Sequence, residues 1–135
     1  MRFNKLIPEL SVSDFEKSLD FYTKILGFKV EYARENFAFL AHQGSQIMIE
    51  KANNSWKTGE LKKPFGRGIN FQIEVKEIGP IIKSLRKNNH PLFRNPKDNW
   101  YRKATMLLGS REFLVQDPDG YLLRFSENIG AKRIG

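Results

Sequence analysis

Hydrophobic and polar positions along this chain fall into short alternating runs broken by glycine, asparagine and proline, with two stretches at helical spacing. The plainest run is 111–125, REFLVQDPDGYLLRF, in which Arg111–Gln116 and Tyr121–Phe125 flank Asp117-Pro118-Asp119-Gly120. Proline presets φ for a turn entry, aspartate can bond its own backbone, and glycine accepts positive φ. The pattern therefore predicts a strand–turn–strand hairpin. A fainter copy stands at 37–50, FAFLAHQGSQIMIE, again two strands around a glycine turn.

Taken in order, Lys5–Val12 reads as a strand whose Pro8 suggests an edge or a bulge. Ser13 reads as a helix N-cap, with Glu16 completing a capping box. Phe15, Leu19, Tyr22 and Leu26 then form one apolar helical face, and Gly27 ends it. Strands at Phe28–Tyr32, Phe37–Ala41 and Gln46–Lys51 complete a βαβββ order. The second half repeats it: strand Gly68–Val75, then helix Lys76–Asn88 with Ile78, Ile81, Ile82 and Leu85 inward and Pro80 in its first turn. A short strand Pro91–Arg94, a loop Asn95–Lys103 and the hairpin follow. The expected fold is α+β, one domain over 1–135 built from two tandem βαβββ modules, about 4–52 and 68–128. Residues 53–67 are the linker, and curved sheets enclose a cleft. Val12 and Val75 lie 63 positions apart, whereas Phe39/Phe113 and Glu50/Arg124 lie 74 apart. The second module thus carries about 11 further residues, placed in the 95–103 loop.

Composition narrows the function classes. The chain has 135 residues, enough for one real core, and no cysteine, which excludes disulfides and thiolate metal sites. No apolar run approaches a membrane span, and Lys5, Pro8 and Glu9 stand where the apolar core of a signal peptide would lie. A cytoplasmic location is the expectation. The net charge of +8 admits anionic partners. No long basic run and no recognised nucleic-acid motif accompany it, so scattered solvated lysines are the favoured reading and nucleic acid is not an expected partner. His42 and His90 read as solvated loop histidines. Trp56 reads as a loop anchor or a ligand contact. Trp100 and Tyr101, an aromatic pair in a polar loop, read as ligand-stacking residues. Arg111 and Glu112 read as structural ion-pairing groups on opposite faces of a strand, with Phe113 in the core.

Leu10–Phe15 (LSVSDF), Phe21-Tyr22, Leu26-Gly27-Phe28 and the Asp117–Gly120 turn together resemble the glyoxalase/bleomycin-resistance/extradiol-dioxygenase superfamily, the vicinal oxygen chelate fold. Arg111-Glu112-Phe113 and Pro8-Glu9-Leu10 are most similar to its bleomycin-resistance proteins. That resemblance implies an intimate homodimer with aromatic clefts that bind a drug, and it places Tyr32 and Phe37 at cleft positions. Core aromatics of a sheet are the competing reading of those two. Gly109, where such proteins often carry tryptophan, and the basic charge argue against bleomycin itself.

The resemblance also implies where a divalent metal would be held in the family's enzymes: one position on the first and one on the last strand of each module. Here those positions are Ile7, Glu50, Asn70 and Arg124. One carboxylate and one weak amide donor remain, beside an aliphatic side chain and a permanent cation, so neither a metal nor any other cofactor is expected. Glu50 and Arg124 either pair across the cavity floor or orient a polar ligand. The expected function is a metal-free small-molecule binding protein that sequesters an aromatic or antibiotic-like ligand, with no catalytic residue. Its ligand-binding residues are Tyr32, Phe37, Glu50, Asn70, Trp100, Tyr101 and Arg124. The alternative is a glyoxalase- or dioxygenase-like lyase or oxidoreductase with a degenerate metal site, in which only Glu50 survives.

Overall fold

The computed structural model describes residues 1–135, which divide into two compact units. The first comprises Met1–Arg67 together with Asp117–Tyr121, and the second Gly68–Gln116 with Leu122–Gly135. The architecture is α+β, and each unit holds one four-stranded sheet.

In the first unit, β1 (Glu9–Val12), β2 (Lys29–Arg34), β3 (Phe37–His42) and β4 (Ser45–Lys51) are ordered β1-β4-β3-β2, with β1 parallel to β4. Alternation sends Leu10, Val12, Ala38, Leu40, Ile47 and Ile49 to the buried face. Helix α1 (Phe15–Asp20) continues into a single π-helical turn, Phe21–Ile25. The N-cap is Asp14, whose side chain accepts from the Lys17 amide, and not Ser13 as expected. Ser13 is drawn away: its amide and hydroxyl both donate to the Asp119 carboxylate. The π turn also rotates the helical face. Ser18, Phe21, Tyr22 and Leu26 are buried, whereas Phe15 and Leu19 are only half-buried.

The Asp117–Gly120 turn is more than a connection. Asp117 Oδ1 accepts the amides of Asp119 and Tyr121, and its Oδ2 accepts the Tyr22 hydroxyl at 2.8 Å. Gly120 has φ of 97°, and an added Cβ would lie 2.5 Å from Pro64, so only glycine fits there. Phe65 holds the linker: it is buried, its amide donates to the Asp119 carbonyl, and its ring meets Tyr121 edge-on. Trp56, the expected anchor, is 67% exposed.

The second unit repeats the topology. β5 (Asn70–Glu74), β6 (Arg94–Lys103), β7 (Met106–Gln116) and β8 (Leu122–Arg133) are ordered β5-β8-β7-β6, with β5 parallel to β8. Helix α2 (Gly79–Lys87) has Pro80 in its first turn and buries Ile81, Ile82 and Leu85. Phe113 and Phe125 stack at 5.4 Å on the sheet's buried face, beside Ile73, Val115 and Leu123. Full burial of each such ring stabilises by about 1.5–3 kcal/mol.

Residues 95–103 form strand β6 and not a loop. The extra length of this half lies in long strands: the β6–β7 hairpin turns at Ala104, which has φ of 54°. An edge strand that buries almost nothing carries no hydrophobic alternation, which hid it from the sequence pattern. Pro96 is tolerated because the pairing register slips between Arg94 and Lys97, so no ladder bond is demanded of it.

Candidate functional site

Once 94–103 is a strand, the parity of each residue decides which face it serves. Trp100 pairs with Gly109 and Tyr101 with Leu108, so the two adjacent aromatics point to opposite faces. Trp100 lies over Gly109, where an added Cβ would come within 2.7 Å of its ring, and the Lys132 ammonium sits 4.0 Å from that ring's centre. Tyr101 lies on the other face with Asn99, Ser110 and Glu112.

Glu112 is the centre of that face. Its side chain is 8% exposed, and both oxygens are occupied. Oε1 accepts from the Tyr101 hydroxyl at 2.8 Å and from Asn99 Nδ2 at 3.3 Å, and Oε2 accepts from Ser110 Oγ at 2.9 Å. The Arg124 guanidinium approaches Oε1 at 3.9 Å, and its Nη2 donates to Gln72 Oε1 at 2.9 Å. Arg124 Nε is buried without a hydrogen-bond partner, so the guanidinium retains donor capacity. The Tyr101 phenol is pushed up from its ordinary value, first by its hydrogen bond to Glu112 and then by burial.

Tyr101, Glu112 and Arg124 form a waist between two cavities on this face of the sheet. One, of about 540 Å³, is floored by Leu108, Gly109, Ser110 and Ala131. The other, of about 390 Å³, is bordered by Asn70, Phe93, Arg94, Asn95 and Lys97. Three of the expected ligand residues, Asn70, Tyr101 and Arg124, thus meet in one groove. Glu112, which the sequence reads as a structural ion-pairing group, joins them with Ser110, Asn99 and Gln72, which sequence reasoning passed over. The signal for Ser110 was available: with Phe113 and Val115 inward and Glu112 already read on the opposite face, every second residue of β7 must face that way.

Tyr32, Phe37 and Glu50 come together elsewhere, on the open face of the first unit's sheet. Phe37 pairs with Glu50, Tyr32 stacks on Phe39 at 5.1 Å, and Phe3 meets Phe39 edge-on at 5.4 Å. Phe37 itself is buried, with the Arg34 guanidinium 4.0 Å from its ring centre. Glu50 accepts from Asn53, and Arg124 has its partners in its own sheet. Glu9 is shifted upward by burial and then by the Glu50 charge, opposed by Arg34. His42 ends β3 beside Phe28, and His90 is not a solvated loop residue, because its Nε2 lies 2.7 Å from the Gln116 carbonyl.

The strand registers also revise the internal repeat. Counted from Val12 and Val75, the pairing of β1 with β4 and of β5 with β8 puts Met48, not Glu50, in the place of Arg124, and matches Glu50 to Ser126. As donors, Ile7, Glu50, Asn70 and Arg124 do not fit a divalent ion. An aliphatic chain offers no lone pair, and a guanidinium already bound to Glu112 and Gln72 repels a cation. No group of three or more His, Asp or Glu side chains clusters anywhere in the molecule. No helix is long and apolar enough to cross a membrane.

Comparison with known proteins agrees with this architecture. The chain is 28% identical over 134 residues to a bleomycin resistance protein of Geobacillus stearothermophilus, covering 91% of this chain and 96% of the relative. It is 29% identical over 136 residues to a lactoylglutathione lyase of Shigella flexneri, covering 92% of each. Among solved structures, TioX from Micromonospora superposes with a TM-score of 0.70 at 16% identity, over 94% of this chain and 100% of the other, a likeness of fold alone. The model of one family matches residues 4–125, and the chain belongs to the glyoxalase/bleomycin resistance protein/dioxygenase superfamily.

Proposed function

We propose that the protein binds a small organic molecule without a metal, in the groove on the open face of the second unit's sheet. The observation that carries this is the Glu112 network: a buried carboxylate held by Tyr101, Asn99 and Ser110 beside an arginine fixed by Gln72. A purely structural sheet face gains little from burying a charge, whereas a pre-ordered polar waist between two cavities fixes a ligand's orientation. Tyr101 supplies the stacking surface, and Arg124, Asn70 and Gln72 supply donors and acceptors. Trp100 is left out because it serves the opposite face. The relative named as a bleomycin resistance protein supports small-molecule binding.

A homodimer belongs to the same reading, since a two-fold partner would cover Phe93, Tyr101 and Leu108, each 40–50% exposed in one chain. An enzyme of the superfamily is the second reading, favoured by the relative named as a lactoylglutathione lyase. The donor set opposes it. The test is a thermal-shift screen of aromatic metabolites, antibiotics and divalent metals, repeated on Tyr101→Ala and Arg124→Gln. A ligand that binds only the folded state raises the midpoint by mass action. Both variants are expected to lose that rise. A ligand whose rise survives both substitutions, or a metal held one per chain, would place function outside this groove.

A further inference from the structure

We infer that the groove selects an anionic amphiphile: a molecule with an apolar or aromatic body and a carboxylate or similar oxyanion at one end. The inference rests on the groove being the ligand site and adds the ligand's charge and direction.

The two cavities differ in chemistry on either side of the shared waist. The larger is floored by Leu108, Gly109 and Ala131, with the Tyr101 ring at its boundary and Glu74, an exposed carboxylate, at its rim beside Gln72 and Asn128. Gly109 contributes only backbone to this floor, because its Cβ position points to the Trp100 face. The smaller carries three cations, Arg94, Lys97 and Arg124, against the single carboxylate of Glu112, with the amides of Asn70, Asn95 and Asn99 among them. That carboxylate already accepts from Tyr101, Asn99 and Ser110 and offsets only one of the three positive charges.

The three cations are differently committed. Arg124 is held in place by Gln72 and Glu112, and its Nε lacks a partner. Arg94 and Lys97 stand on the edge strand on either side of the register slip, and neither is in an ion pair. A ligand oxyanion would find a guanidinium held on β8 and two cations free of ion pairs on β6, facing each other across β7, with neutral amide donors around them. A ligand ammonium would meet the same three charges with no free carboxylate in that lobe. The apolar body then extends past Tyr101 over Leu108 and Ala131.

Three probes of one shape and different charge test this: naphthoate, naphthylmethanol and naphthylmethylammonium, titrated calorimetrically against the full chain. Naphthoate is expected to bind about tenfold or more tighter than the ammonium, a difference of one solvent-screened charge contact. The preference should narrow as salt is raised. In the double variant Arg94→Gln/Lys97→Gln, exposed changes on an edge strand, the preference should fall several-fold while the melting midpoint stays near that of the parent. Equal or tighter binding of the ammonium overturns the inference and leaves the groove assignment standing. A naphthoate preference untouched by the double substitution overturns the placement of the anionic end. Failure of all three probes to bind overturns the inference and the groove assignment together.

Discussion

Replacing Glu112 tests whether the network at the waist is an organised unit or incidental packing. Glu112→Gln keeps the shape and leaves an oxygen for Tyr101 and an amide for Ser110, so it removes mainly the charge. Hydrogen bonds to an ionised group contribute about 1.5–3 kcal/mol, and neutral ones about 0.5–1.5 kcal/mol. Two of the three bonds are short, at 2.8 and 2.9 Å, and the third is 3.3 Å. The Arg124 contact at 3.9 Å involves a side chain 31% exposed, which holds its share to roughly 1 kcal/mol or less. The expected cost is about 1–2 kcal/mol for Glu112→Gln and about 2–4 kcal/mol for Glu112→Ala, which strips every bond. Urea titration reads this as a fall in midpoint at unchanged slope. The second readout is the Tyr101 phenol. Its upward shift comes first from Glu112, so Glu112→Gln should move its ionisation back down, seen as tyrosinate absorbance against a Tyr101→Phe control. If both variants stay within about 0.5 kcal/mol of the parent, the ordinary range of a surface change, and the tyrosine titration is unmoved, the network has no energetic content.

Two further outcomes follow from the same geometry. Gly109→Ala puts a Cβ 2.7 Å from both Trp100 and Ile129, and should cost about 1–3 kcal/mol with a change in tryptophan emission; an unaltered spectrum and midpoint would show that the ring is not seated there. Burial raises the Asp117 carboxyl above its unfolded value of 3.8, against the pull of its hydrogen bonds, so the folded state holds that proton more tightly. The stability this group adds is full below 3.8 and is lost as pH rises through the folded value. The stability of the parent relative to Asp117→Asn should therefore decline with rising pH across that window, and a difference that rises instead refutes the assignment.

Local pattern was enough for much of this molecule. Alternation and helical spacing identified two βαβββ halves, because burial of one face per element imposes period two on strands and 3.6 on helices. Leu85 in α2 and Phe113 and Phe125 in the second sheet lie where those periods put them. Gly120 was readable as a turn glycine, although its contact with Pro64, a further reason for it, is a tertiary fact. Where partners are distant in sequence, pattern was silent. Ser13 looks like an N-cap until Asp119, 106 residues away, claims its hydroxyl and Asp14 takes over the helix end. Trp100 and Tyr101 looked like one ligand-binding pair, yet their strand sends them to opposite faces. Glu112 looked like one member of an ion pair until Tyr101, Asn99 and Ser110 met it as hydrogen-bond donors. Cross-strand register decides such meetings, and it is set by the summed pairing of whole strands, so no single stretch of residues encodes it.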